Sequence, residues 1–192
     1  MSAADPVTRL MTAEEFMALP DDGRERWLLD GQVYTLEDSM TVRNWVHSGV
    51  VTNVAFALKG WLRTQPLPRG RIATGDGGFR LRRDPDILVG ADVAYASAAL
   101  VAATPRKQPY YDGPPTLAVE VLSPSDKHED VVAKVEAYLQ SGSVVWVVDP
   151  DFRIVMVHRP DHPARSYSIG DELSADPYLP GFRVAVADLF ED

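Results

Sequence analysis

The spacing of apolar residues changes several times along the chain, and each change predicts an element. Thr12 to Pro20 (TAEEFMALP) reads as a short helix with Thr12 as N-cap, Glu15 in the capping-box position and Pro20 closing it. The run RWLLDGQVYTLE gives two short strands about Asp30-Gly31, a dipeptide that favours a tight hairpin turn. From Asn44 to Arg63, Val46, Val50, Val51, Val54, Leu58 and Leu62 recur at helical spacing, and Pro66, Pro68 and Gly70 end that helix. Short β-type segments follow: RIATG, GFRLR, ADVAYAS and PTLAVEVL. Between the last two, Ala98 to Pro115 is rich in Ala, Pro and Tyr with little periodicity, which predicts a surface excursion. A second helix is expected over Asp126 to Gln140, with Asp126 and Glu129 as a capping-box pair and Ser141-Gly142 as its stop. Val144 to Val148 reads as a buried strand ending at Asp149-Pro150, and Phe152 to His158 as its neighbour. The tail alternates strand and turn pieces, with a turn at Leu179 to Phe182 and a helical turn at Val186 to Phe190.

This order suits an α/β or α+β fold, a sheet covered by two main helices. The strand at Glu120, the helix after it and the strand at Val144 form a βαβ candidate with parallel strands and a right-handed crossover. With 192 residues and no repeat, linker or low-complexity tract, one domain over 1–192 is expected.

Composition narrows the chemistry. The chain has no cysteine, so disulfides, thiolate metal sites and cysteine nucleophiles are excluded, and any metal must sit on oxygen or imidazole. The formal charge of −9 argues against a generally basic surface that holds nucleic acid. Charge is uneven, however. Lys59, Arg63, Arg69, Arg71, Arg80, Arg82 and Arg83 stand against a lone Asp76, a strip that can track a phosphate backbone or serve as a solvated face. No apolar run approaches the roughly 20 residues that cross a bilayer, and the first residues lack a signal-peptide layout. A cytoplasmic protein without a membrane partner is the expectation.

The sharpest anomaly is Glu120 in LAVEVL. A lone ionised carboxylate in such a strand costs several kcal/mol (about 2–7 for an unpaired polar group, more for a charge) unless it is paired, binds a metal or faces solvent at a sheet edge. Alternation puts Glu120 on one face with Ala118 and Leu122, while Val119 and Val121 face the other way. Asp92 is a second carboxylate among apolar neighbours in another short strand. Two acids on adjacent strands can hold Mg²⁺ or Mn²⁺ through oxygen, with water filling the remaining positions. Asp84 and Asp86 form an alternative pair, though RDPD favours a turn with local charge pairing. Lys134 lies four residues from both Asp130 and Tyr138. It can reach the two carboxylates and stabilise charge on a phosphate, or it can pair with Asp130 on the helix surface. His47 can orient a ligand or act as a base, or simply pack. The histidines lack zinc-ligand spacing, Ser123 and Ser125 lack a nucleophile-elbow pattern, and Gly75-Asp-Gly-Gly78 lacks nucleotide-loop spacing.

These residues resemble the Uma-type restriction endonuclease family of the PD-(D/E)XK nuclease superfamily. The likeness spans most of the chain: MTAEEFMALPDDGRERWLLDGQVY, RDPDILVGADVAYAS, LAVEVLSPSD with AKVEAYLQSG and VVWVVDP, and the terminal LPGF. LAVEVLSPSD with the downstream lysine, tyrosine and WVVDP is its most specific part. The resemblance implies a restriction-endonuclease-like mixed β-sheet flanked by helices, with Asp92 and Glu120 as metal ligands. Leu122 stands where the superfamily's usual lysine would be. The family is understood to supply that lysine from the next helix, at the position of Lys134. One departure is Ala91, where the family usually has proline.

The expectation is therefore a Mg²⁺-dependent DNA endonuclease, with Mn²⁺ as a substitute ion. Asp92, Glu120 and the Val121 carbonyl would bind the metal, and Lys134 would position water or stabilise the pentavalent charge. A non-catalytic module binding nucleic acid or protein is the alternative, and a metal phosphodiesterase acting on RNA or a small nucleotide is a third reading. Double-strand cutting would suit a symmetric homodimer.

Overall fold

The computed structural model of the chain describes residues 9–35 and 44–191. Helix α1 (Ala13–Met17) starts in the expected capping box: the Glu15 N–H donates to Thr12 Oγ1 at 3.2 Å and the Thr12 N–H donates to Glu15 Oε2 at 3.0 Å. Strands β1 (Arg26–Leu29) and β2 (Gln32–Thr35) form the hairpin. Asp30 and Gly31 take the positive φ values, 52° and 72°, that its two-residue turn requires. Leu36 and Glu37, expected to extend β2, lie outside the described residues. Helix α2 (Trp45–Thr64) is capped by Asn44, whose side-chain oxygen accepts the Val46 N–H at 2.7 Å.

Strand β3 (Arg71–Arg82) is one long strand where the sequence suggested two short ones, because a bulge between Thr74 and Gly77 lets pairing with β4 (Ile87–Ala96) resume beyond the glycines. The expected surface excursion contains a short helix, α3 (Ala98–Ala103), and a buried Tyr110 that packs with Ala13, Leu28 and Leu88. After β5 (Leu117–Val121) comes α4 (His128–Gln140). The anticipated Asp126/Glu129 capping box does not form. Lys127 is the N-cap, without a side-chain bond, while Asp126 accepts the Ser123 N–H at 2.7 Å and so closes the preceding turn. Strands β6 (Val144–Asp149), β7 (Ile154–Arg159) and β8 (His162–Ser168) continue the sheet. The separate hairpin β9 (Glu172–Ser174) and β10 (Arg183–Ala185) leads into a 3₁₀ turn, Val186–Phe190.

The large sheet runs β2-β1-β4-β5-β6-β7-β8, with β3 also on β4. The β5–β6 pair is parallel and joined by α4, as the βαβ reading required, while the neighbouring pairs are antiparallel. Val50, Val54 and Leu58 of α2 pack on one face with Val119, Val121, Trp146 and the tail residues Leu179 and Phe182. Val135, Ala137 and Tyr138 of α4 pack on the other with Ala118, Val145 and Val147. Strand β4 is the hub. One edge carries β3, and the other is shared by β1, which pairs at Leu88, and β5, which begins pairing at Val93. The sheet forks between those two points.

Candidate active site

The chemistry-bearing residues meet at this fork. Val93 pairs with Val119, so Asp92 and Glu120 are the next residues out on adjoining strands. There the Val121 N–H donates to Asp92 Oδ2 at 2.8 Å, a side chain taking the place of a ladder partner. Asp92 Oδ1 lies 3.3 Å from His47 Nε2, so the buried histidine of α2 approaches the same carboxylate from the opposite sheet face. The contact falls outside hydrogen-bond geometry, since His47 Nε2 has no hydrogen-bond partner.

Glu120 is only 8% exposed, in a strand paired on both sides, and this rules out the sheet-edge explanation. Its Oε2 is 3.6 Å from Lys134 Nζ, while the buried Oε1 has no hydrogen-bond partner. Burial pushes its carboxyl up to about 8. Lys134 opposes that rise, and the charges of Asp92, Asp76 and Glu25 add to it. Burial works against the charge on Lys134 as well, but Glu120, Glu25, Asp92 and Asp76 together outweigh it and hold the ammonium above the ordinary lysine range. Lys134 thus turns inward to Glu120 and Glu25, 3.6 and 3.5 Å away, and not along the helix surface to Asp130. One turn on, the fully buried Tyr138 hydroxyl is raised well above its usual value by burial and then by Glu120 and Asp92. It lies near Glu120 but outside hydrogen-bond geometry.

Asp92, Glu120 and Lys134 line a cleft, where Glu25, Asp76, Asp126, Asp130 and Lys127 join them. An acidic cleft with one orphaned buried carboxylate oxygen suits a cation. Among the described residues no three His, Asp or Glu side chains converge into an all-protein cage. Magnesium does not need one, since it keeps several waters and commonly takes one or two carboxylates.

As cleft residues, Glu25, Trp27, Asp76 and Lys127 escaped the sequence reading, and Asp126 and Asp130 entered it only as a helix cap and an ion-pair partner. Asp76 had a signal: it sits at φ 57° in the Gly75-Asp76-Gly77-Gly78 bulge, a pattern that marks a redirected strand. Glu25 and Trp27 of the hairpin had none, because only the tertiary fold brings β1 to α4.

The basic strip divides: Lys59, Arg63, Arg69 and Arg71 are exposed, whereas Arg80, Arg82 and Arg83 are held in ion pairs. Arg80 is 4% exposed and its guanidinium donates to Glu14 Oε1 at 2.7 Å and Asp112 Oδ1 at 2.8 Å, with Asp86 at 3.7 Å. Arg82 pairs with Asp30 and Arg83 with Asp112. Lys59 and Arg63 lie on α2, across the sheet from Glu120 and Lys134. Asp84 and Asp86 belong to a turn, as expected, and Asp86 further anchors α1 by accepting the Ala13 N–H at 2.7 Å.

No curated protein matches the chain. Among solved structures it is similar to "a putative nuclease belonging to DUF820" from Anabaena variabilis, with a TM-score of 0.78 and 17% identity over 94% of this chain and 97% of that one. At that identity the likeness is one of fold, and the fold is restriction-endonuclease-like. The family model described as Uma2, "Putative restriction endonuclease", matches residues 13–187. With the match running from the first helix to the final turn, the chain belongs to the Uma2 family of nucleases.

Proposed function

We propose that this protein is a DNA endonuclease that depends on magnesium, with manganese as a substitute. One observation carries the reading: Glu120 is a buried carboxylate with an unpartnered oxygen, next to Asp92 and 3.6 Å from Lys134. DNA as the substrate follows from the family's description as restriction endonucleases.

Asp92, Glu120 and the Val121 carbonyl would hold the ion, which when bound supplies an activated water and polarises the phosphate. The chain's own residues do the rest. The Val121 N–H fixes Asp92 to the strand that carries Glu120, so the acidic groups move as one unit. Lys134 presents a permanent ammonium to a phosphate entering the cleft and stabilises the negative charge that grows on its oxygens. Like-charge repulsion from Glu25, Asp76, Asp126 and Asp130 disfavours a phosphodiester until a divalent cation is present.

Plasmid and oligonucleotide cleavage with Mg²⁺, Mn²⁺ or EDTA tests this. Wild type should cut with either metal and not with EDTA. Asp92→Asn and Glu120→Gln should abolish cutting, and Lys134→Met should slow it by about 10²–10³. Full cutting by folded Glu120→Gln protein would overturn the assignment. The formal charge of −9 and the ion-paired arginines favour a second reading, a non-catalytic binding module. Calorimetric titration with Mn²⁺ separates the two, since such a module needs no metal ligands. RNA and dinucleotide substrates in the same assay decide the substrate class.

A further inference from the structure

Lys134 reaches the cleft from α4 on a long, flexible side chain. Its four-methylene stem is free to rotate, and fixing that stem costs rotamer entropy. Something beyond α4 must hold the ammonium still. The hairpin at the far side of the fork is placed to do this. Lys134 Nζ lies 4.9 Å from the centroid of the Trp27 ring and 3.5 Å from Glu25 Oε1, both on or beside β1, and 3.6 Å from Glu120 Oε2. An ammonium has three donors, and here they meet two carboxylates and one aromatic face.

The ring is itself held. Trp27 is buried, and its cross-strand partner Tyr34 stacks on it with centroids 6.1 Å apart and planes 12° from parallel. The β1–β2 turn sets that register, and the Leu28–Leu88 pairing ties β1 to the strand that carries Asp92. We infer that Trp27 and Glu25 are positioning residues for Lys134: a socket built by the hairpin that holds the ammonium of a helix-borne lysine against Glu120. This inference rests on the reading of Lys134 as the group that meets the phosphate.

The socket makes a claim about ring chemistry that bulk packing does not share. Phenylalanine keeps an aromatic face for the cation at position 27, while leucine fills similar space without one. Cleavage kinetics of the full chain with Mg²⁺ should show kcat for Trp27→Leu reduced about tenfold to thirtyfold with KM for DNA unchanged, and Trp27→Phe restored to within a few-fold of wild type. Glu25→Gln should give a smaller loss in kcat, about fivefold. Equal kcat for the Leu and Phe variants would overturn the proposal.

A second arm needs neither activity nor the leucine variant. The difference in tryptophan fluorescence between wild type and Trp27→Phe isolates Trp27, and Lys134→Met should shift that difference spectrum by removing the adjacent ammonium. An unchanged spectrum would overturn the socket. If wild type fails to cut any nucleic acid, the functional reading falls, while the fluorescence arm still decides whether β1 holds Lys134.

Discussion

Glu120 concentrates the electrostatics of the cleft in one group. Burial raises its pKa from 4.5 to about 8, so between those values the folded chain holds a proton that the unfolded chain has released. Its contribution to stability is then present in full below about pH 4.5 and lost as pH rises through about 8. Metal-free wild type should therefore become easier to unfold across that window, and Glu120→Gln should flatten this part of the profile. Urea melts in EDTA at pH 5 and pH 8.5 measure the slope. If both proteins lose stability equally, Glu120 is not the titrating group. Added Mg²⁺ should restore wild type at the higher pH and leave Glu120→Gln unchanged, because an ion that binds only the folded state stabilises it by mass action. The anomaly of an acid in LAVEVL was legible in the sequence; that its Oε1 would be orphaned was not, since this depends on what α4 and β1 place around it.

Among the elements, the β3 bulge shows how backbone is spent on a site. Gly75 and Asp76 take positive φ, and the chain crosses so close to β4 that a Cβ on Gly90 would sit 2.7 Å from the Asp76 carbonyl oxygen. That is backbone against backbone, with no flexible end to give way. Gly90→Ala should push the bulge outward and destabilise the protein by about 1–3 kcal/mol, read as a lower urea midpoint with an unchanged slope. Helix ends were read unevenly. At α1 the Thr12–Glu15 box is a local pattern and formed as expected. At α4 the same kind of pattern misled, because Asp126 was already engaged with the Ser123 N–H of the turn leaving β5. Capping residues choose among nearby donors, and a one-dimensional reading cannot rank them.

At the scale of the whole molecule, Arg80 ties the N-terminal helix to the loop before β5. Its pKa is raised first by its hydrogen bond to Asp112, against the effect of burial, and Asp112 is lowered in return. Glu14 is held down at about 2, first by the hydrogen bond from Tyr110, with Arg80 contributing. Arg80→Ala leaves Asp86 and Asp112 without their buried partner and should cost about 3–5 kcal/mol. Arg82→Ala, by contrast, loses a half-exposed pair and should cost within about 1 kcal/mol. Equal urea midpoints for the two variants would contradict the network. The depressed pKa of Glu14 sets its pH dependence: its share of the clamp is present above about pH 4.5 and lost as pH falls toward 2, weakened by the exposure of its side chain. A combined Arg80/Arg82/Arg83 alanine variant would therefore report on folding, and loss of DNA binding in it would say nothing about a phosphate-tracking surface.

What the sequence determined by itself is local or periodic: the capped α1, the Asp-Gly hairpin, the apolar stripe of α2, the parallel β5–α4–β6 unit, and an acid where a strand should be apolar. These follow from spacings of two and of 3.6 residues, from turn chemistry and, for the β5–α4–β6 unit, from the order of elements along one continuous stretch. Only the tertiary structure decided where charges end up. It sank Arg80 into an ion network, turned Lys134 away from Asp130 toward Glu120, and brought His47 to Asp92 across the sheet. It also set Glu25, Trp27 and Asp76 around a cleft that no single segment encodes. A charge is placed by its partners' positions, and partners far apart in the chain share no pattern along it.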